Sequence, residues 1–172
     1  ELTLDAVVYD VGAGTGSVTI ETALQLPQGM VYAIERNPDA VDLLHQNCEK
    51  FGVSNVKIVP GLAPEAFEGL PAPTHAFIGG SGGKMKEIIG TLLNLNPAVR
   101  IVANAITLET VSEILACMKE YGFEDGELLQ VQVSPVKQLG SYHMPIAQNP
   151  VYIAVMQHPV KDDVEEIEWL DS

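Results

Sequence analysis

Apolar residues recur along the chain in two alternating patterns. Short apolar runs rich in β-branched residues, typical of buried strands, begin near Ala6, Met30, Val56, Thr74 and Val99. Each run is followed by a turn and then by a stretch whose apolar positions fall three or four residues apart, as on one face of a helix. Five strand–helix units in succession predict an α/β domain built on a parallel sheet.

The helical stretches have recognisable starts and inner faces. The first helix is predicted to begin near Gly16, the second after the cap Asn37, and the last after the cap Thr107. The residues expected to face the core are Ile20, Ala23 and Leu24; Val41, Leu44, Cys48 and Phe51; Met85, Ile88, Ile89 and Leu92; and Leu108, Val111, Leu115 and Met118.

The rhythm changes after residue 128. Leu129, Val131 and Val133 alternate with polar residues, and a second apolar run covers residues 151–155 with no helix between the two. Such a pair is expected to be antiparallel and joined by a loop over residues 135–149. The whole pattern predicts a Rossmann-like, seven-stranded, mostly parallel sheet with one antiparallel strand and helices on both faces.

An acid and three alternate glycines end the first predicted strand. Asp10 is followed by Gly12, Gly14 and Gly16, and a helix opens directly after them. Glycine allows close approach of the backbone to a ligand, and a helix N-terminus offers free N–H groups. The dinucleotide fingerprint would need a third glycine where Ser17 stands, which argues against a nicotinamide oxidoreductase. The loop predicts a nucleotide-like ligand, with a turn that binds nothing as the alternative.

A second acid strengthens the nucleotide hypothesis. Glu35 ends the second predicted strand, 19 residues after Gly16, close to the interval of about 20 residues that separates the loop from the ribose-binding acid in βαβ nucleotide sites. A carboxylate there can accept hydrogen bonds from both ribose hydroxyls. The alternative is a surface glutamate at a strand end.

Two further turns are expected at the same edge of the sheet. In residues 61–65, Leu62 and Ala63 could flank an adenine, or they could form a plain turn. Residues 79–83 hold four glycines in five positions. A loop so rich in glycine predicts that the backbone passes close to a ligand or substrate. The alternative is a flexible linker.

Composition narrows the classes of function. The chain has 172 residues, 47% of them hydrophobic, which suits one domain over residues 1–160. Its net charge of −14 disfavours nucleic-acid binding. With no leader and no run long enough to span a membrane, a soluble, cytoplasmic protein is expected. Cys48 and Cys117 lack metal-ligand spacing and are expected to be buried thiols, and residues 161–172 are expected to be an acidic, disordered tail.

These motifs together resemble one family. The stretch Asp10-Val-Gly12-Ala-Gly14-Thr-Gly16 resembles the first motif of class I S-adenosylmethionine methyltransferases. With residues 33–37, 77–83 and 148–152, it is similar to the decarboxylating precorrin methyltransferases of cobalamin synthesis, over residues 6–156. The resemblance implies a class I methyltransferase fold. It also implies methylation of carbon 15 of a precorrin by S-adenosylmethionine and decarboxylation of the acetate side chain on ring C.

The resemblance also assigns a cofactor site. It places the first glycine loop on the methionine part of the cofactor, Glu35 on the ribose and Ala63 beside the adenine. The implied cofactor-binding residues are Asp10, Gly12, Ala13, Gly14, Thr15, Gly16, Glu35, Arg36, Leu62, Ala63, Gly79 and Gly80. The chain departs from the family at Leu62, where aspartate is usual. It also starts after the N-terminal helix and the threonine-containing segment that usually close over the cofactor.

The implied chemistry requires neither a metal nor an obvious catalytic dyad. Methyl transfer to an electron-rich carbon depends mostly on orientation, and the conjugated macrocycle can take up the electrons released by decarboxylation. The candidate catalytic residues, on the substrate side, are Asn104, Tyr142 and His143. The last two lie in residues 137–147, a predicted substrate lid, although an ordinary loop histidine is the alternative for His143.

Charge and assembly complete the hypothesis. Precorrins carry many carboxylates, so Lys84, Lys86, Lys137 and His143 are expected to form a basic mouth on an acidic body. The resemblance implies a homo-oligomer, a tetramer in the family, and fusion or pairing with the carbon-5 methyltransferase, with no nucleic-acid or membrane partner. Two alternatives stay open: a methyltransferase acting on another small molecule, and a cofactor-binding subunit that is inactive without a missing N-terminal part.

Overall fold

Strands and helices alternate through most of the chain. A computed structural model describes residues 2–158, so the predicted acidic tail, residues 161–172, lies outside the described residues. The strands are β1 (Val7–Val11), β2 (Met30–Glu35), β3 (Val56–Pro60), β4 (His75–Ile78), β5 (Arg100–Ala105), β6 (Glu127–Val131), β7 (Val136–Leu139), β8 (Tyr142–Pro145) and β9 (Val151–Met156). The helices are α1 (Ser17–Gln25), α2 (Pro38–Phe51), α3 (Met85–Leu95) and α4 (Leu108–Tyr121), and a 3-10 turn (Glu65–Phe67) follows β3. Within residues 2–158, no helix has the length and apolar character needed to cross a membrane.

Seven of the strands form one sheet in the order β3-β2-β1-β4-β5-β9-β6. Strands β1 to β5 run parallel, whereas β9 is antiparallel to both β5 and β6. The predicted mostly parallel, seven-stranded sheet with one reversed strand is therefore confirmed. The strand order changes direction between β1 and β4, and ligands bind at the carboxyl ends of the strands beside such a switch point.

Successive side chains of β1 point into apolar layers on opposite faces of the sheet. Tyr9 belongs to the large core together with Ile88 of α3 and Ile114 of α4. Its neighbour Val8 points to the opposite face and packs with Ala23 of α1. Burying one such large apolar side chain contributes roughly 1.5–3 kcal/mol. The predicted helices on both faces are thus confirmed.

The inner face of α4 is rotated from its predicted position. Helix α3 buries all four of its predicted residues, but α4 buries Val111, Ile114 and Cys117. The predicted Leu108 and Leu115 are 71% and 48% exposed. Apolar residues cover two adjacent stripes of α4, and contact with α3, β5 and β9 decides which stripe is buried.

The predicted core residues near the ends of α1 and α2 are partly wrong. Leu24 and Phe51 are 55% and 54% exposed. Cys48 is half-buried, so of the two predicted buried thiols Cys117 alone is confirmed. Helix α2 packs beside β3, the edge strand of the sheet, and in its centre Leu44 is fully buried.

The segment predicted as a loop between β6 and β9 contains a hairpin. Strands β7 and β8 pair antiparallel, with Leu139 opposite Tyr142 across a two-residue turn. Every residue of both strands is exposed. Among the described residues, the hydrogen bonds of residues 135–146 have both partners within that segment; for example, Ile146 N donates to Pro135 O at 2.9 Å. This hairpin, residues 136–145, is separate from the main sheet.

Candidate functional site

A cavity of about 200 Å³ opens at the carboxyl ends of β1 to β4. It is smaller than the roughly 300–1,000 Å³ of sites that hold a whole drug-sized ligand, so it fits one part of such a ligand. The residues lining it are Val11, Gly12, Ile34, Glu35, Arg36, Gly61, Leu62, Ala63, Gly80, Ser81 and Gly82.

The glycines of the first loop meet different neighbours. A Cβ on Gly12 would come within 2.8–3.0 Å of three main-chain atoms of Gly80, so two loops touch here through their backbones. A Cβ on Gly16 would overlap the side chain of Leu44, so the third glycine lets α1 approach α2. Gly16 also ends the loop as the cap of α1, whose first turn has no side-chain cap to satisfy its N–H groups.

The carboxylate of Glu35 joins the first glycine loop to α2. Its Oε2 accepts from Gly14 N and its Oε1 from Asn37 N, each at 2.8 Å. An ionised carboxylate has about four acceptor positions, so this one keeps acceptor capacity for a ligand in the cavity that it lines. Glu35 is therefore held in place by the protein while it remains able to bind hydroxyl groups.

Asp10 is buried below the loop and does not line the cavity. Its Oδ2 accepts from Thr19 Oγ1 of α1 at 2.5 Å. Burial raises the pKa of Asp10 to about 6; the Thr19 hydrogen bond opposes that shift, and the charge of Glu35 adds to it. Asp10 thus connects β1 to α1 and supports the loop from behind.

The second glycine loop, residues 79–83, is attached to its neighbours on both sides. Gly79 N and Gly80 N donate to Val11 O at 2.8 and 3.2 Å. Farther along, Lys84 Nζ lies 2.5 Å from Glu65 Oε1, which joins this loop to the turn after β3. That ion pair is exposed, so its contribution to stability is small.

The structure brings six of the predicted cofactor residues into the cavity wall, and the other six do not line it. Those in the wall are Gly12, Glu35, Arg36, Leu62, Ala63 and Gly80; those outside the wall are Asp10, Ala13, Gly14, Thr15, Gly16 and Gly79. The remaining wall residues, Val11, Ile34, Gly61, Ser81 and Gly82, were not assigned to the cofactor. The last three lie in the two turns, residues 61–65 and 79–83, that the sequence predicts at this edge of the sheet.

The three candidate catalytic residues are not brought together. Asn104 lies inside β5, and its carboxamide is satisfied when Nδ2 faces the carbonyl oxygens of Gly79 and Ile78, at 3.2 and 3.3 Å. Tyr142 and His143 lie in the exposed hairpin, on opposite faces of β8 because they are adjacent. None of the three lines the cavity.

The expected basic mouth is partly neutralised. Lys84 pairs with Glu65, and Lys86 pairs with Glu120 at 2.8 Å. Hydrogen bonding to the carboxylates raises the pKa of both lysines. In the part of the chain that the structure describes, no three His, Cys, Asp or Glu side chains are grouped so that they could hold a metal ion.

Comparison with known proteins identifies the family. A family model described as a precorrin methyltransferase domain matches residues 2–158. The cobalt-precorrin-6B C(15)-methyltransferase (decarboxylating) of Salmonella typhimurium is 40% identical over 151 residues, which is 87% of this chain and 78% of the relative. Among solved structures, a precorrin-6Y C5,15-methyltransferase from Geobacter metallireducens superposes with a TM-score of 0.84 at 38% identity, covering 92% of this chain and 84% of the other.

A second solved structure has the same fold and is named for a different activity. The precorrin-8W decarboxylase of Methanobacterium thermoautotrophicum has a TM-score of 0.80 at 36% identity, over 90% of this chain and 82% of the other. The fold is therefore the Rossmann-like fold of S-adenosylmethionine-dependent methyltransferases. The family match covers nearly all of the described residues, and the chain belongs to the precorrin methyltransferase family.

Proposed function

We propose that this protein is an S-adenosylmethionine-dependent enzyme of corrin synthesis that methylates carbon 15 of a precorrin and removes the acetate carboxyl group of ring C. The observation that carries the proposal is the cavity in which Glu35 and Gly12 face the apolar turn at Leu62, in a chain of this family. The precorrin substrate is inferred from the names of the relatives.

The residues present fit the cofactor. A Cβ on Gly80, in the cavity wall, would meet no atom of the protein within 4 Å, so the glycine leaves open space there, and the first turn of α1 has no side-chain cap. Glu35 would accept from the ribose hydroxyls, with Ile34, Leu62 and Ala63 supplying apolar surface for the adenine ring. The methionine part would lie along residues 12–16. When bound, S-adenosylmethionine supplies an activated methyl group.

The contribution of the protein to the chemistry is mainly orientation. Holding both reactants in a reactive geometry can supply several kcal/mol of the barrier reduction without a catalytic dyad. The glycine loop, residues 79–83, offers main-chain surface beside the cofactor, and Tyr142 and His143 are proposed to reach the substrate from the hairpin. No metal is assigned to the reaction.

The hairpin also supports an oligomer. Leu139, Tyr142 and Met144 share one face of it with Lys137, and these three apolar and aromatic side chains are 51%, 74% and 49% exposed. An isolated two-stranded hairpin is only marginally stable in water, so this face is expected to be covered. The proposed partner is a second copy of the chain, in a homo-oligomer that is a tetramer by family resemblance. Fusion to or pairing with a carbon-5 methyltransferase is the further partner proposed.

Calorimetry and turnover test the two halves of the proposal separately. The protein is titrated with S-adenosylhomocysteine and with NAD, and then incubated with S-adenosylmethionine and a precorrin, with and without cobalt, while the product mass is followed. Binding of S-adenosylhomocysteine but not NAD, with gain of a methyl group and loss of carbon dioxide, is expected. Cofactor binding without turnover would favour a different small-molecule substrate or an inactive subunit, and NAD binding would contradict the cofactor assignment.

A further inference from the structure

We infer that Asn104 is a positioning residue whose carboxamide fixes the start of the glycine loop, residues 79–83, that walls the cofactor cavity. The contact is a property of the protein alone. Its effect on S-adenosylmethionine binding rests on the proposed function.

The position of Asn104 follows from strand register. The parallel pairing of β4 with β5 ends at Ile78 opposite Ala103. Asn104 is the next residue of β5, so its side chain meets the chain where β4 stops. There, in the amide orientation that satisfies the carboxamide, Nδ2 donates to Gly79 O at 3.2 Å and to Ile78 O at 3.3 Å. The side chain thereby extends the connection between the two strands by one residue beyond the regular ladder.

Gly79 and the next residue, Gly80, are held from the other side by β1. Val11 O accepts from Gly79 N and Gly80 N, and the backbone of Gly12 touches Gly80. The beginning of the loop is therefore clamped between β1 and β5. Gly80, Ser81 and Gly82 continue from this clamp into the cavity wall, whereas Asn104 itself does not line the cavity.

The chemistry of the contact requires an amide at this position. A carboxamide nitrogen has two hydrogens to give to two carbonyl oxygens, whereas a carboxylate of the same shape presents acceptors alone. Asn104→Asp therefore replaces attraction by repulsion without a large change in volume. Once the introduced carboxyl is protonated, it regains one donor. Asn104→Leu removes the donors at every pH.

The test uses these two variants and a matched control. Asn96, in the turn before β5, also donates its side-chain amide to a main-chain carbonyl oxygen, Pro73 O, at 2.9 Å. Asn96→Asp therefore controls for loss of an ordinary amide-to-backbone bond away from the cavity. Hydrogen–deuterium exchange of residues 79–83 is measured without ligand, and calorimetry gives the dissociation constant of S-adenosylhomocysteine from pH 5 to pH 8.

In both Asn104 variants, exchange in residues 79–83 is expected to rise at least tenfold while β1 keeps its protection. The dissociation constant is expected to rise at least tenfold at pH 8, relative to the wild-type protein. Because the carbonyl oxygens of Ile78 and Gly79 face the carboxyl of Asn104→Asp and raise its pKa, the loss in this variant is expected to shrink as the pH falls toward 5. For Asn104→Leu it is not. Asn96→Asp is expected to leave both readouts within threefold.

Unchanged exchange in residues 79–83, or equal losses at all pH values in both variants, would overturn the positioning role. Failure of the wild-type protein to bind S-adenosylhomocysteine would count against the proposed function instead. In that case the exchange measurement still decides whether Asn104 holds the loop.

Discussion

At the scale of single residues, Glu35 is already in place before a ligand arrives. Its two oxygens are fixed by Gly14 N and Asn37 N, so little side-chain entropy is lost on binding. Such prior ordering supports the proposal that Glu35 binds the ribose of the cofactor.

Glu35→Ala is expected to weaken S-adenosylhomocysteine binding by about 1.5–3 kcal/mol, because it removes a charged acceptor for the ribose hydroxyls. Glu35→Gln, which keeps one oxygen, should lose less. Glu49 is an exposed glutamate of α2, and Glu49→Ala is the matched control in calorimetry. Equal affinity in Glu35→Ala and the control would remove Glu35 from the site.

Asp10 predicts a pH dependence of stability. Its pKa is raised from 3.8 to about 6 in the folded protein, so between these values the folded state binds the proton more tightly than the unfolded chain. The free energy of unfolding should therefore fall as the pH rises through this range, by at most about 3 kcal/mol from this group.

Asp10→Asn is expected to flatten that slope, because the amide does not titrate. Urea unfolding from pH 4 to pH 7.5 measures it, with Asp39→Asn, an exposed aspartate of α2, as the control. If the variant kept the slope of the parent, the buried proton would have to reside elsewhere.

At the scale of elements, the hairpin lies outside the main sheet and outside the cavity wall, so its function can be tested by substitution. The double variant Tyr142→Ala with His143→Ala is expected to keep S-adenosylhomocysteine affinity within about 0.5 kcal/mol, the usual range for changes away from a site. Precorrin turnover should fall tenfold or more, roughly 1.4 kcal/mol in the barrier.

The single variants Tyr142→Ala and His143→Ala then identify which face of β8 contacts the substrate. Gln138→Ala, directly opposite His143 in β7, controls for disturbance of the hairpin. Full turnover in the double variant would show that the hairpin does not act as a lid, and loss of cofactor affinity would place it over the methionine end of the cofactor.

The sequence predicted the main sheet and the helix starts because strong local signals agree with the fold. Asn37 and Thr107 cap their helices through side-chain hydrogen bonds, as expected. The hairpin was missed, although Gly140 followed by Ser141 between two short runs is a hairpin signal. Polar residues and Pro145 weaken the alternation there, because neither face of the hairpin is buried by the residues that the structure describes.

Residues that act through tertiary contacts were the hardest to predict. The buried stripe of α4 depends on which neighbour it meets, because two apolar stripes were available. The sequence around Asn104 does not show whether its side chain faces a substrate or a main-chain carbonyl group. Its contact with Gly79 arises from strand register, which periodicity does not determine.

At the scale of the whole molecule, the apolar face of the hairpin predicts self-association. Leu139→Glu with Met144→Glu places charges on that face and should convert the oligomer to a smaller species in light scattering, with S-adenosylhomocysteine binding retained. Gln138→Glu puts the same charge on the opposite face and should leave the mass unchanged. A monomeric wild-type protein would contradict the prediction.

The contact between Gly12 and Gly80 predicts that the two positions tolerate substitution differently. A Cβ on Gly12 meets main-chain atoms, which any residue at position 80 would also have, whereas a Cβ on Gly80 meets no atom of the protein within 4 Å. Gly12→Ala should therefore lower the melting temperature, and Gly80→Ala should leave it unchanged while weakening S-adenosylhomocysteine binding. Selection on folding alone would preserve Gly12, and glycine at position 80 would persist only as long as a ligand occupies the space beside it.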